Sequence, residues 1–246
     1  MNRQPILEAR KLVKAYSGRT VVNRVSYHVD DGEIVGLLGP NGAGKTTTFR
    51  MTVGMITPAS GQILLAGEDV TRLPMFRRAR LGLGYLAQEP SVFRQMTVEG
   101  NLLSILEMRK VKKMERTERA EELLDEMGLT HLAKHRAQTL SGGERRRLEI
   151  ARTLATNPRL ILLDEPFSGI DPIVVDELRK ILKALKARGI SILITDHAAR
   201  ATFLTTDRVY IIADGKILRH GTPRELADDS DVRRVYLGED FSLGTS

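Results

Sequence analysis

Cysteine and tryptophan are absent from the 246 residues, and aromatic side chains make up only 4% of them. Without thiols there are no disulfides and no thiolate metal sites, which fits a reducing compartment. So few aromatics leave no stacking platform for single-stranded nucleic acid, and no nucleic-acid partner is expected. No apolar run approaches the ~18 residues that cross a bilayer. The opening Met1-Asn2-Arg3-Gln4-Pro5-Ile6 lacks the apolar stretch of a secretion signal. Heptad runs, internal repeats and low-complexity tracts are missing too. These absences lead to the expectation of a cytoplasmic chain. There is no acid excess either: the net charge is +7. The basic residues alternate with acids, as in Glu115-Arg116-Thr117-Glu118-Arg119. That pattern reads first as a solvated surface and second as one suited to anionic lipid headgroups.

What is present is organised around Gly39-Pro40-Asn41-Gly42-Ala43-Gly44-Lys45-Thr46, which fits G-x-x-x-x-G-K-[ST] without a mismatch. The apolar run Ile34-Val35-Gly36-Leu37-Leu38 leads in as a buried strand, and Thr46 to Met51 lead out as a helix. Glycines let the backbone curl so that successive N–H groups point at phosphate oxygens. The helix N-terminus adds free N–H groups and the positive end of its dipole. Lys45 reaches the β- and γ-phosphates, the Thr46 hydroxyl is placed to ligate Mg²⁺, and Thr47 completes the binding loop. The pattern implies a nucleoside triphosphate site.

Elsewhere the periodicity alternates between two types. Val25, Tyr27 and Val29 alternate with Arg24, Ser26 and His28, as in an antiparallel sheet with one wet face. Gln62-Ile63-Leu64-Leu65 reads as another edge piece. From about Thr97 to Thr156 the spacing is helical: Asn101 to Arg109, Glu115 to Met127 with Gly128 as a stop, and a third helix capped by Ser141. Leu160 to Leu163 and Ile190 to Ile194 are apolar throughout, with a helix from about Val174 to Ala187 between them.

Three apolar strands end in polar chemistry: at Gly39, at Asp164-Glu165, and at Thr195-Asp196-His197. Ligands of open parallel sheets bind at the carboxyl ends of strands, so these segments are expected to converge. Asp164 is placed to hold Mg²⁺, and Glu165 to orient or deprotonate an attacking water. His197 is placed to bond the γ-phosphate or that water, whereas His28, His131, His135 and His220 read as surface residues. Gln88 is a candidate for Mg²⁺ or water. Leu140-Ser141-Gly142-Gly143-Glu144 opens a helix and offers a second phosphate-binding terminus. One chain already has its phosphate loop, which suggests ATP held between two subunits.

Gly39–Thr46, Gln88, Leu140–Glu144, Leu160–Glu165, Ser168-Gly169-Ile170-Asp171 and His197 resemble, in order and spacing, six motifs of ATP-binding cassette ATPases. These are the phosphate loop, Q-loop, signature, Walker B, D-loop and switch histidine. The resemblance covers essentially the whole chain. It implies an α/β P-loop NTPase with a RecA-like core, an antiparallel β subdomain and a helical signature subdomain. The core and β subdomain would occupy about 1–90 and 157–220, the helical subdomain about 91–156, and a tail about 221–246. It further implies a head-to-tail homodimer around two ATP with Mg²⁺, in which Ser141, Gly142, Gly143, Glu144 and Asp171 serve the nucleotide. Tyr16 matches the aromatic that stacks on adenine.

Within that family the chain most resembles the lipopolysaccharide-export ATPases of Gram-negative bacteria. The resemblance is carried by Gln88-Glu89-Pro90-Ser91-Val92-Phe93-Arg94, by Ser141 to Arg152, and by Val235-Tyr236-Leu237-Gly238-Glu239-Asp240-Phe241. This implies a chain peripheral to the cytoplasmic face of the inner membrane, bound to transmembrane transporter subunits that it contacts near Phe93 and Arg94. There, an apolar Val92-Phe93 pair beside Arg94 reads as an exposed anchor. A branched-chain amino-acid importer ATPase and a soluble cassette ATPase of iron–sulphur assembly are the alternatives.

Overall fold

The structure is a computed structural model and describes residues 5–243, so the reading of Met1 to Gln4 falls outside the described residues. Strands β1 (Pro5–Tyr16) and β2 (Arg19–Asp30) form a long hairpin. β3 (Ile34–Leu38), wholly buried, runs into helix α1 (Lys45–Val53). β4 (Ser60–Leu65), β5 (Glu68–Asp69), α2 (Met75–Arg80) and β6 (Leu83–Leu86) follow. The helical stretch comprises α3 (Val98–Met108), α4 (Lys113–Glu126) and α5 (Gly142–Leu154). Then come β7 (Leu160–Asp164), α6 (Pro172–Ala187), β8 (Ser191–Thr195), α7 (Ala199–Phe203), β9 (Arg208–Ala213) and β10 (Lys216–Gly221). The short helices α8 (Pro223–Asp228) and α9 (Ser230–Val232) and a π-helical turn at Arg233–Leu237 close the described chain.

Two sheets result. The larger has the order β10-β9-β3-β8-β7-β6, parallel except for the antiparallel pair β9–β10. The smaller is antiparallel, with order β2-β1-β4-β5. Strand alternation divides the core. Ile161, Leu163, Ile192 and Ile194 pack with α3 to α6 on one face. Val35, Leu37, Leu160, Leu162 and Leu193 pack with Phe49 of α1 and with the antiparallel sheet on the other. Strands covered on both faces must be apolar throughout, which explains their unbroken runs. The expectation that Gln62–Leu65 is an edge piece needs correction. β4 pairs with β1 on one side, and the two-residue β5 supplies the edge on the other. Among the described residues no helix is long and apolar enough to cross a membrane.

One buried charge ties the far end of α1 in place. Arg78, 1% exposed, donates to the carbonyls of Met51 and Thr52 at the end of α1, and to those of Thr71 and Leu73. Burial lowers its pKa to about 10, so it stays charged at neutral pH, where a cation suits a helix C-terminus. Arg78→Met leaves these carbonyls without their donor and is expected to cost about 3 kcal/mol. Thermal unfolding should then begin some 6–12 °C lower for a chain this size. A midpoint within about 2 °C of the native one would mean that water replaces the guanidinium.

Candidate functional site

The parallel strands bring the polar ends together. β3, β8 and β7 are neighbours, and the amide of Glu165 donates to the carbonyl of Thr195 at 2.7 Å, tying the end of β7 to that of β8. Between β3 and α1 the loop Gly39–Gly44 curls under strict steric limits. Gly39 has φ 146°, and a Cβ there would stand 2.0 Å from the Ile212 carbonyl oxygen. At Gly44, φ is 99° and a Cβ would meet the Val21 carbonyl at 2.6 Å. Only glycine fits either position. Asn41, Gly42 and Thr46 are exposed, Pro40 and Thr47 half-buried, and Ala43 and Gly44 buried. The Lys45 ammonium folds back onto the Gly39 and Pro40 carbonyls, at 2.6 and 2.8 Å, and burial lowers its pKa against the opposing pull of Glu165. The loop thus holds its own cation against two of its carbonyls.

Beside the loop stands a side-chain triangle. Gln88 Nε2 donates to Glu165 Oε2 at 2.7 Å, and His197 Nε2 lies 2.8 Å from Glu165 Oε1. Glu165 itself adopts φ 48°, a left-handed conformation that costs a non-glycine residue about 1–3 kcal/mol and is typical of working sites. Next to it Asp164 is buried, and burial raises its pKa, with the Glu165 charge adding to the effect. Among the described residues its one side-chain partner is the Tyr85 hydroxyl, at 3.4 Å, which leaves most of its acceptor capacity unfilled there.

Other sequence-predicted residues lie outside this group. Ser141 caps α5 in a reciprocal capping box: Glu144 accepts from the Ser141 amide and hydroxyl, and the Glu144 amide donates back to Ser141 Oγ. Ser141, Gly142, Gly143 and Glu144 make no side-chain hydrogen bond to the phosphate loop, Gln88, Glu165 or His197. Asp171 caps α6 by accepting from the Ile173 amide. Tyr16 ends β1 with its ring 45% exposed and Lys14 Nζ over it at 5.5 Å. His131, His135 and His220 are exposed as expected. His28 is a correction: it is half-buried, bonded to Arg208 and to the Tyr210 hydroxyl.

The segment after Gln88 is clamped to α5 and α3. Arg146 donates to the Ala87 carbonyl, the Ser91 amide donates to Glu149, and Arg152 donates to the Ser91 carbonyl. Asn101, wholly buried in α3, accepts from the Phe93 amide and donates to its carbonyl. The Phe93 ring is left 42% exposed under the Arg152 guanidinium, 4.5 Å from its centroid, and Arg94 is exposed. Val92 turns inward to the helical core, so the exposed pair expected from sequence reduces to Phe93 alone. Sequence reasoning also missed Asp196. Fully buried, it accepts from the Phe167 amide at 2.7 Å and the Ala198 amide at 2.8 Å, which fixes the turns that follow Glu165 and His197. Its only signal was its place between Thr195 and His197 at a strand end.

A family profile described as ABC transporter matches residues 22–168. The lipopolysaccharide export system ATP-binding protein LptB of Acidithiobacillus ferridurans is 56% identical to this chain, covering 97% of it and 99% of that protein. The LptB of Escherichia coli K12 is 52% identical over 96% of this chain and 99% of its own length. Among solved structures, an ATP-binding cassette of an ABC transporter in its ADP conformation matches with TM-score 0.86 at 28% identity, covering 96% of this chain and 100% of that one. A dimeric ATP-binding cassette in a post-hydrolysis state, bound to ADP and Pi, matches with TM-score 0.77 at 25% identity, over 89% and 99% of the two chains.

Proposed function

The chain belongs to the ABC transporter family, and from that premise we propose that it is the ATP-hydrolysing subunit of a lipopolysaccharide exporter. It works as a homodimer around two nucleotides on the cytoplasmic face of the inner membrane. Identity of 52–56% to LptB proteins over nearly the full length favours export over amino-acid import or iron–sulphur assembly. The observation that carries the hydrolytic reading is Glu165, held between Gln88 and His197 at the end of β7.

In that triangle Gln88 donates to one carboxylate oxygen of Glu165 and His197 stands against the other, so both oxygens are engaged. With Gln88 and His197 drawn off to a bound MgATP, a Glu165 lone pair would be free for the attacking water. Binding thereby sets up hydrolysis. Asp164, buried with unfilled acceptor capacity, fits Mg²⁺, with Thr46 and Gln88 as further ligands. Mg²⁺ usually keeps waters and substrate phosphates in its shell, and the described residues contain no cage of three or more His, Cys, Asp or Glu. A Mg²⁺ ion held there would supply neutralisation of the negative charge on the phosphates. Lys45 leaves the Gly39 and Pro40 carbonyls for the phosphates, and Tyr16 offers an open ring face to the base.

Gln88 and Phe93 lie on one short segment that α5 and α3 hold rigidly. A rotation of the helical region, about 91–156, against the core would therefore move the exposed Phe93 ring. Affinity purification of the tagged chain from its own membranes is expected to bring down the transmembrane subunits of a lipopolysaccharide exporter. Phe93→Ala should lose them while keeping basal ATPase activity and a melting point within about 2 °C. Recovery of amino-acid importer subunits instead would overturn the export assignment. A melting point several degrees lower would make Phe93 a packing residue.

A further inference from the structure

The long hairpin of β1 and β2 is interrupted twice, once in each strand. Ala9 stands opposite Tyr27 and Leu12 opposite Val25, so Arg10 and Lys11 together face Ser26, whose hydroxyl accepts from the Lys11 amide. Further along, Lys14 stands opposite Val22, so Asn23 and Arg24 together face Val13. In each bulge a basic residue takes a left-handed backbone, Lys11 with φ 48° and Arg24 with φ 55°, a conformation uncommon outside glycine and asparagine. Bulges re-aim side chains, and strained residues of this kind persist where the surroundings fix them, as at ligand clamps. Here β4 fixes the first: Gly61 has φ 97°, and a Cβ there would stand 2.6 Å from the Arg10 and Lys11 carbonyl oxygens. Both re-aimed cations line one trough of about 1060 Å³, between the wet face of the antiparallel sheet and the pair β9–β10. An adjoining cavity of about 690 Å³ shares Arg24, Ser26 and His220 with it and adds Lys216. No residue of the phosphate loop lines either cavity.

We propose that this trough is a second anion site, built for a nucleoside phosphate and separate from the phosphate loop. Charge supplies the first half of the argument. Glu8 is the one acidic side chain lining either cavity among the described residues, and Arg10 engages both of its oxygens, at 2.7 Å each. Lys11, Arg24 and Lys216, from three different strands, form no salt bridge among the described residues. A guanidinium and two ammonium groups with no carboxylate to answer them suit the oxygens of a phosphate chain. The second half is a ring. His220 is exposed and stacks on the buried Tyr210 at 27°, with centroids 5.2 Å apart. Tyr210 is itself held through its hydroxyl by His28 and Arg208, at 3.1 and 3.2 Å. One face of the imidazole is thus backed by a fixed ring, and the other is open to a planar base. The volume of the trough is that of a small-ligand pocket.

The test counts nucleotides on the full chain without magnesium, by equilibrium dialysis with ADP. The native chain should take up two ADP, and Lys45→Ala one, because that variant loses the phosphate loop and keeps the trough. Adding Arg24→Glu and Lys216→Glu to Lys45→Ala reverses two cations of the trough and should weaken the remaining site at least about tenfold. Adding Lys112→Glu and Lys113→Glu instead makes the same change in net charge at the exposed start of α4 and should cost about twofold at most. His220→Ala, again with Lys45→Ala, should weaken ADP roughly threefold and leave inorganic tripolyphosphate nearly unchanged, which separates the ring from the phosphates. A melting point within about 2 °C of the Lys45→Ala chain reports that each variant is folded. A Lys45→Ala chain that binds neither ADP nor tripolyphosphate would overturn the site. So would undiminished ADP binding by the trough variant, or equal losses in that variant and the lysine control, which would reduce the effect to bulk charge. Tripolyphosphate binding as tight as that of ADP, with both untouched by His220→Ala, would overturn the nucleoside assignment. None of these outcomes depends on the transporter reading, whose failure would show in the co-purification above.

Discussion

Glu165→Gln is expected to bind MgATP as tightly as the native chain and to hydrolyse it about a thousandfold more slowly, accumulating as an ATP-bound dimer. Glutamine matches glutamate in size, and the φ of 48° at this position is imposed by the backbone, through the bond from the residue's amide to the Thr195 carbonyl. Phosphate loop, Lys45 and Asp164 stay as they are. What changes is one property: the amide cannot take a proton from water. Binding and turnover therefore separate, which a general loss of structure would not produce. Equilibrium nucleotide binding, phosphate release and gel filtration with ATP measure the three parts of the expectation. Turnover within about threefold of the native rate would remove Glu165 from the role of base and leave it a hydrogen-bond partner of Gln88 and His197.

The strand–loop–helix geometry at Gly39 to Thr46 was legible in the sequence because its determinants are local. Gly39 to Thr46 follow a strand and open a helix, and the glycines fall where φ is positive or a carbonyl crowds in. The meeting of Gln88, Glu165 and His197 was legible at one remove, since apolar runs that end in polar residues mark the carboxyl edge of a parallel sheet. What stayed hidden depends on partners far along the chain. Asp196 gains its importance from the amide of Phe167, and Phe93 from Asn101 and Arg152. Neither pairing leaves a periodic trace. Val92 and Phe93 are equally apolar, and only the hydrogen bonds that fix the backbone of Phe93 decide which side chain faces out. The left-handed backbone of Glu165 had no signal, because such residues are glycine or asparagine wherever sequence patterns can register them. The interior place of β4 was missed because Glu68-Asp69, too short and polar to read as a strand, supplies the edge.

The end of α5 poses the sharper question, and Ser141→Arg answers it. Ser141 bonds Glu144 and not the chain's own phosphate loop, and a Cβ at Gly142 would meet nothing within 4 Å. Two glycine amides at an open helix N-terminus are free for a phosphate supplied from outside the chain. Arginine at 141 removes the cap and fills that opening. Hydrolysis is expected to fall at least about a hundredfold, while nucleotide binding by the single chain stays within about twofold. Loss of the cap costs only about 1 kcal/mol, a few degrees of melting point, so the fold survives. Lys45→Ala is the complementary defect, inactive because its own loop cannot hold the phosphates. In a mixed dimer one site combines an intact Lys45 with an intact Ser141, and the other lacks both. Equal mixing makes about half the dimers mixed, so up to roughly a quarter of native activity should return if the sites act independently. If both sites must fire together, activity stays low, but each mixed dimer should still trap one ATP. Mixed dimers that neither hydrolyse nor trap nucleotide would mean that Ser141 does not serve a nucleotide held by the other chain.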